Sequence, residues 1–206
     1  MVTGASAYEG APVSVAAIVL AAGCATRMGS QKVLLKLEAR SLVQRAVDAA
    51  LGSRASRTIV VVGHEAGPVT DDLAGRPVTV VVNPAYAAGM STSLQAGVRA
   101  AGACDAAIFL LGDQPYVTTR LIDRLIERFA ETGKAVVRPL AGARPANPVL
   151  LSAALFPEIL EQRGDVGGRE IVERHPGEVC LVPLDDLQAV MDIDSPQDYE
   201  AAREGT

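Results

Sequence analysis

Two cations and two carboxylates stand out in this chain, each just beyond an apolar run. Arg27 and Lys32 follow the run 15–21 inside the stretch LAAGCATRMGSQK at 20–32. Asp113 follows the run 106–111 in LLGDQP, and Asp194 lies near the end in MDIDSPQDY. A loop of small residues lets backbone N–H groups approach a polyanion, and Arg27 and Lys32 add positive charge to it. Two of the chain's three lysines, Lys32 and Lys36, fall here. The spacing Gly23-x5-Gly29-x2-Lys32 is not the GxxxxGK[ST] of a Walker loop, and GxGxxG occurs nowhere in the chain. The same loop also reads as a tight crossover with surface charges.

A carboxylate directly after a buried strand stands where a ligand would be. Asp113 can hold Mg²⁺ through one oxygen while phosphate oxygens and water fill the other positions; in isolation it reads equally well as a turn cap before Pro115. Asp192 and Asp194 alternate, so an extended segment puts them on one face. Two such carboxylates repel unless a cation or cationic side chain lies between them, although acids at a helix start are also favoured by the dipole. In the segment 82–94, VNPAYAAGMSTSL, Asn83 ends a strand and Gly89–Met90–Ser93 open a helix whose N–H groups and hydroxyls would meet an anion or a base edge. An ordinary helix cap is the default alternative.

The elements that must position these residues follow from patterning. Apolar β-type runs at 15–21, 58–62, 78–82, 106–111, 135–137 and 179–182 alternate with helix-like stretches at 41–51, 91–101, 118–130, 152–162 and 167–173. A last helix starts at Pro196 behind Ser195 as N-cap. The stretch 118–130 carries Leu121, Ile122, Leu125, Ile126 and Phe129 on one face, with Thr118 as its N-cap. Strands apolar throughout and separated by helices imply a mainly parallel sheet covered on both faces. We therefore expect a single α/β domain with a doubly wound sheet over 14–206, behind a loose Gly/Pro-punctuated tail at 1–13. Such sheets bind ligands beyond the carboxyl ends of their strands. That rule points to Leu20–Ala21–Ala22–Gly23 and the loop to Lys32, to Gly63–His64, to Asn83–Ser93, and to the acids after 111 and 191.

Composition narrows the function. The chain has 206 residues, 49% hydrophobic, with 19 basic against 24 acidic residues for a net charge of −5. This argues against a nucleic-acid or anionic-membrane binder, and no run approaches the ~18 apolar residues of a membrane span. Three scattered cysteines (Cys24, Cys104, Cys180) and two histidines (His64, His175) show no disulfide framework or zinc motif, and imply a cytoplasmic protein. The run ending at Cys24 superficially looks like a lipobox. No Lys or Arg precedes Arg27, however, so a buried strand is the better reading.

LAAGxxxRMGxxK at 20–32, GDQP at 112–115, NPxxxxGMxxSLxxG at 83–97 and DxDSPxD at 192–198 together resemble the MobA-like family of molybdopterin nucleotidyltransferases. These are glycosyltransferase-A-type (Rossmann-like) nucleotidyltransferases, and the likeness is strongest to the cytidylyltransferase branch. It spans about 15–203, with weaker echoes at Asn147–Leu150 (NPVL, with Arg144 as an acceptor-phosphate contact) and at 164–169 (GDVGGR). It implies a Mg²⁺-dependent transfer of CMP from CTP to a molybdopterin-type molybdenum cofactor, with release of pyrophosphate. On that likeness, Asp113 and Asp194 hold the metal, and Arg27 and Lys32 neutralise the β- and γ-phosphates. Leu20, Ala21, Ala22, Gly23, Gly63, Asn83, Gly89, Met90 and Ser93 would surround the nucleotide. Ala22 and Met90 are the family's choices for cytosine. A molybdenum hydroxylase apoenzyme is the implied downstream partner.

The chain departs from the family at Ala25 (usually Ser), Ala146 (usually Gly) and Gly168 (usually Ala); none of these is charged. Two other readings remain on the same scaffold. One is an NAD(P)H-dependent oxidoreductase like the family's nicotine blue reductase branch, which the missing GxGxxG disfavours. The other is a non-catalytic maturation partner of a molybdenum hydroxylase, against which the retained Arg27, Lys32, Asp113 and Asp194 argue.

Overall fold

The computed structural model describes residues 13–23, 31–165 and 167–204. Its strands are β1 (Val15–Ala21), β2 (Lys36–Leu37), β3 (Arg40–Ser41), β4 (Arg57–Val62), β5 (Thr79–Val82), β6 (Ala106–Leu111), β7 (Val136–Ala141), β8 (Arg144–Pro145), β9 (Val149–Ser152) and β10 (Val179–Leu184). Its helices are α1 (Leu42–Leu51), α2 (Ala66–Asp72), α3 (Met90–Ala101), α4 (Thr119–Thr132), α5 (Phe156–Glu161), α6 (Arg169–Arg174) and α7 (Pro196–Glu204).

The main sheet runs β10-β7-β9-β6-β1-β4-β5, with β8 added to β7. All neighbours along this path are parallel except β9, which is antiparallel to both β6 and β7. The chain builds outward from β1 through β4 to β5, then returns to lay β6 on the other side of β1. The order therefore reverses between β1 and β6, where loops diverge and leave a crevice at the carboxyl ends. The mainly parallel, doubly wound α/β sheet is as the sequence implied. Of the expected tail, only Val13 is described; it is partly buried and packs on the core.

Although β1 is apolar throughout, its side chains divide with period two. Val15, Ala17, Val19 and Ala21 join α1, α2 and α4 on one face, while Ala16 and Ile18 join α3, α5 and α6 on the other. α4 starts where expected: the Thr118 hydroxyl accepts from the Leu121 N–H, and Leu121, Ile122, Leu125, Ile126 and Phe129 are all buried. Each such side chain contributes about 1.5–3 kcal/mol relative to exposure. α1 begins with a reciprocal cap between Ser41 and Gln44. A third, smaller cluster of Leu37, Leu42, Ile193 and Ala202 docks α7 on the β2–β3 ribbon, so the last part of the chain is fastened beside the β1/β6 crevice.

Besides the two-residue strands β2, β3 and β8, which no apolar run announces, three elements differ from expectation. α2 was not expected, because AGPVTDD carries Gly, Pro and two Asp. β9 takes in the end of the NPVL segment and Ser152, where a helix was expected to start; the following helix is confined to Phe156–Glu161. β7 extends to Ala141, past Arg138 and Pro139, where the apolar run had ended.

Candidate active site

Three segments supply the charged groups. Gln31 is buried, and its side-chain amide donates to the His64 carbonyl, fixing the chain just before Lys32. Val33, on the 3₁₀ turn Lys32–Leu34, lies over Gly112. That packing brings Lys32 beside Asp113, at the carboxyl end of β6. From the other side, buried Ile193 anchors the 191–195 segment, and its N–H donates to the Asp113 carbonyl at 3.3 Å.

The result is a convergence of residues far apart in sequence. Lys32 Nζ lies 2.7 Å from Asp113 Oδ2 and 2.6 Å from Asp194 Oδ1. Burial draws the ammonium's pKa down, but its hydrogen bonds to Asp113 and Asp194, aided by their charge, outweigh it and hold it above the ordinary lysine value. Asp192 joins the same cluster. Desolvation and the charges of Asp113 and Asp194 raise its pKa, against a hydrogen bond from Gln114 and the charge of Lys32. Asp113 Oδ1 is buried and has no hydrogen-bond partner among the described residues. A buried carboxylate oxygen left bare beside a second carboxylate fits a hard divalent cation. Among the described residues no group of three His, Cys, Asp or Glu is placed to hold a metal. Asp113 and Asp194 would thus leave most positions of such an ion to phosphate and water, as Mg²⁺ prefers.

Next to these charges is a crevice of about 640 Å³. It brings together Leu20, Ala21, Ala22, Gly23, Lys32, Gly89, Met90, Ser93 and Asp113, with Gln31, Tyr86, Leu111 and Asp165 also on the wall. Asp194 enters at the rim through Lys32. Arg27 lies outside the described residues, as does Cys24.

Gly63 and Asn83 are not on this wall; they stand behind it. A Cβ on Gly63 would lie 2.6 Å from Tyr86 Cβ and 2.9 Å from Ala22 Cβ, so Gly63 lets those two walls close up. Asn83 is buried, and its amide donates to Thr92 Oγ1 at 2.8 Å and Ser93 Oγ at 3.0 Å. Its carbonyl oxygen accepts from the Ala85 N–H at 3.0 Å, so Asn83 shapes the entry to α3.

The expectation of free N–H groups at the start of α3 is corrected. The Met90 N–H donates to Asp165 Oδ1 at 3.1 Å, and the Ser91 N–H and hydroxyl both donate to the Gly164 carbonyl. This helix end is capped from the distant 164–165 loop, so its donors are spent inside the chain.

A second crevice, of about 600 Å³, adjoins the first through Leu20, Met90 and Leu111. Phe109, Val149, Leu151 and Val172 give it apolar walls; Arg138 brings positive charge, while Arg169 is paired with Glu173 of the same lining at 2.7 Å. Arg138 Nε donates to the Ala146 carbonyl at 3.2 Å; burial, with the charge of Arg169, pulls its pKa below the ordinary arginine value. Arg144, expected as the acceptor contact, lies on exposed β8 and not among this lining. Sequence patterning missed Arg138 because it interrupts what looked like the end of a strand.

Residues 17–179 match the MobA-like NTP transferase domain. The chain belongs to this family. It is 27% identical to the molybdenum cofactor cytidylyltransferase of Escherichia coli (strain K12) over 91% of this chain and 94% of that protein. It is 29% identical to the nicotine blue oxidoreductase of Paenarthrobacter nicotinovorans over 88% of this chain and 92% of that protein. In fold it is similar to Rv0371c of Mycobacterium tuberculosis H37Rv, crystallised as a complex with manganese. The TM-score is 0.80 at 24% identity, covering 94% of this chain and all of that one (100%).

In this MobA-like transferase, the placement of Asp194 depends on a local clasp. Asp198 Oδ2 accepts from the Asp194 N–H at 3.1 Å, the Ser195 N–H at 2.8 Å and the Ser195 hydroxyl at 2.7 Å, while Ser195 Oγ accepts from the Asp198 N–H. This is the expected Ser195 cap, closed reciprocally by an acid. The side-chain and backbone hydrogen bonds from Ser195, then that from Asp194, hold the Asp198 carboxyl below its ordinary pKa. A lowered folded value means the clasp is complete above the ordinary carboxylate pKa and is lost only as pH falls through the lowered one. At neutral pH it is intact. We expect Asp198→Ala to weaken apparent metal activation about 10-fold with little loss of maximal rate, measured as the divalent-ion dependence of turnover. An unchanged metal dependence would show that Asp194 needs no such support.

Proposed function

We propose that this MobA-like transferase moves CMP from CTP to the phosphate of a molybdopterin-type molybdenum cofactor, releasing pyrophosphate and using Mg²⁺. The observation that carries the reading is the meeting of Asp113 and Asp194 on one cation at the β1/β6 crevice. The likeness over nearly full length to a molybdenum cofactor cytidylyltransferase supports the acceptor and the base, and the manganese complex of a protein of like fold supports a divalent ion.

In this reading, an oxygen of the acceptor phosphate attacks the α-phosphorus of CTP while the bond to pyrophosphate breaks. The attacking oxygen is anionic at neutral pH, so no side-chain base is required. The protein's contribution is positioning and charge neutralisation. Asp113 and Asp194 would hold Mg²⁺, which when bound withdraws negative charge from the reacting phosphate. Lys32 balances the triphosphate from the crevice wall, with Arg27 as its expected companion. Ala22, Met90 and Ser93 border the base and ribose. The second crevice, apolar with Arg138 and the Arg169–Glu173 pair in its lining, suits a heterocyclic acceptor whose anionic group meets Arg138.

The test is to incubate the protein with each nucleoside triphosphate, Mg²⁺ and molybdenum cofactor and to follow pyrophosphate. Release with CTP at least ~10-fold above the other nucleotides is the expected result. No release with any of them would sink the reading.

The relative named for nicotine blue oxidation supports a second reading, a nicotinamide-dependent reductase. Hydride transfer gives no role to a carboxylate pair around a cation, which favours the transferase. Thermal stabilisation by NADPH but not by CTP with Mg²⁺ would reverse that preference.

A further inference from the structure

Lys32 stands between two carboxylates that converge at the crevice mouth. Its side chain is 14% exposed, against 25% for Asp113 and 67% for Asp194. Among the described residues one positive charge, on Lys32, faces both acids, with Asp192 nearby, a negative excess that a divalent ion would balance better. Asp113 Oδ1 has no hydrogen-bond partner among the described residues. Lys32 also lines the nucleotide crevice, so the same ammonium lies within reach of two competing sets of anions.

We infer that Lys32 is a built-in counter-ion. It bridges Asp113 and Asp194 in the nucleotide-free protein and passes to the incoming triphosphate as a divalent metal takes its place on the carboxylates. This rests on the nucleotidyl-transfer reading and adds a loading order to it. Metal alone must displace the ammonium without offering it another anion, so it binds weakly. Metal with triphosphate exchanges each partner for a better one: the carboxylates gain a divalent charge and the lysine gains phosphate. The coupling is reciprocal, so the nucleotide too binds better with metal present.

The test is a Mn²⁺ titration followed by electron paramagnetic resonance of the free ion, on wild type, Lys32→Gln, Lys32→Met and Asp113→Asn, with and without CTP. Without CTP, both neutral lysine variants should bind Mn²⁺ at least ~10-fold more tightly than wild type, since a like charge has left the site. Adding CTP should tighten Mn²⁺ binding at least ~10-fold in wild type and by less in these variants. Variants that bind Mn²⁺ no better than wild type without CTP overturn the inference while leaving the metal site standing. Wild type and Asp113→Asn binding Mn²⁺ alike in both conditions would overturn the metal reading as well. A lysine variant that folds only with Mn²⁺ present supports the counter-ion role; one that stays unfolded with Mn²⁺ counts against it.

Discussion

Asp113→Ala lowers turnover at least ~10²-fold while the melting temperature moves little. The two halves of this expectation have separate causes. The fold at Asp113 is set by backbone and by packing. The Gly112 N–H donates to the Leu20 carbonyl at 2.9 Å, the Asp113 carbonyl accepts from Ile193, and Val33 covers Gly112. None of these uses the Asp113 carboxylate. Its ion pair with Lys32 is partly exposed, and such pairs contribute modestly to stability. On the proposed reaction its catalytic contribution would be larger, because charge at the carboxyl end of β6 would have to be balanced as pyrophosphate leaves. Pyrophosphate release and a circular-dichroism melt on the same preparation check both halves. Turnover within a few-fold of wild type would remove Asp113 from the proposed metal site. A collapse of the melt would mean that the loss of activity says nothing about chemistry.

The parts of this molecule that were legible in sequence are those written locally. β1 and β6 end where their apolar runs end, and α4 shows its buried face and its Thr118 cap directly. Acids and cations just beyond the parallel strands could be picked out because a doubly wound sheet exposes those positions. What was not legible is written between distant segments. VLLS of β9 is four residues long and buried between β6 and β7, so it shows no alternation to separate it from a helix start. α2 starts at a left-handed Glu65 and carries Gly67 and Pro68, which local propensity scores against a helix. The donors of α3 look free in sequence because their partners, Gly164 and Asp165, lie more than seventy positions away. Asn83 looked like a ligand contact for the same reason. Its burial against Thr92 and Ser93 is a property of the folded turn.

Gly89→Ala is expected to destabilise the protein by about 2–4 kcal/mol, lowering the melting temperature by roughly 5–15 °C. Gly89 has φ 113° and ψ 169°, a conformation essentially confined to glycine. An added Cβ would lie 2.4 Å from Gly164 C and O and 2.6 Å from Asp165 N. All three are backbone atoms, so no side chain can swing aside; either α3 or the 164–165 loop must move. That movement breaks the contacts that cap α3, namely Met90 N–H to Asp165 and Ser91 to Gly164. Met90 and Asp165 both line the crevice proposed for the nucleotide, so the same methyl group should raise the nucleotide KM about 10-fold or more. Gly67 supplies the contrast. It lies in α2 with nothing within 4 Å of an added Cβ, so Gly67→Ala should raise stability by about 0.5–1 kcal/mol with kinetics unchanged. Thermal melts and nucleotide saturation curves on both variants decide the matter. If Gly89→Ala melts with wild type, the approach of α3 to the 164–165 loop is looser than the packing requires, and that loop cannot be what shapes the crevice.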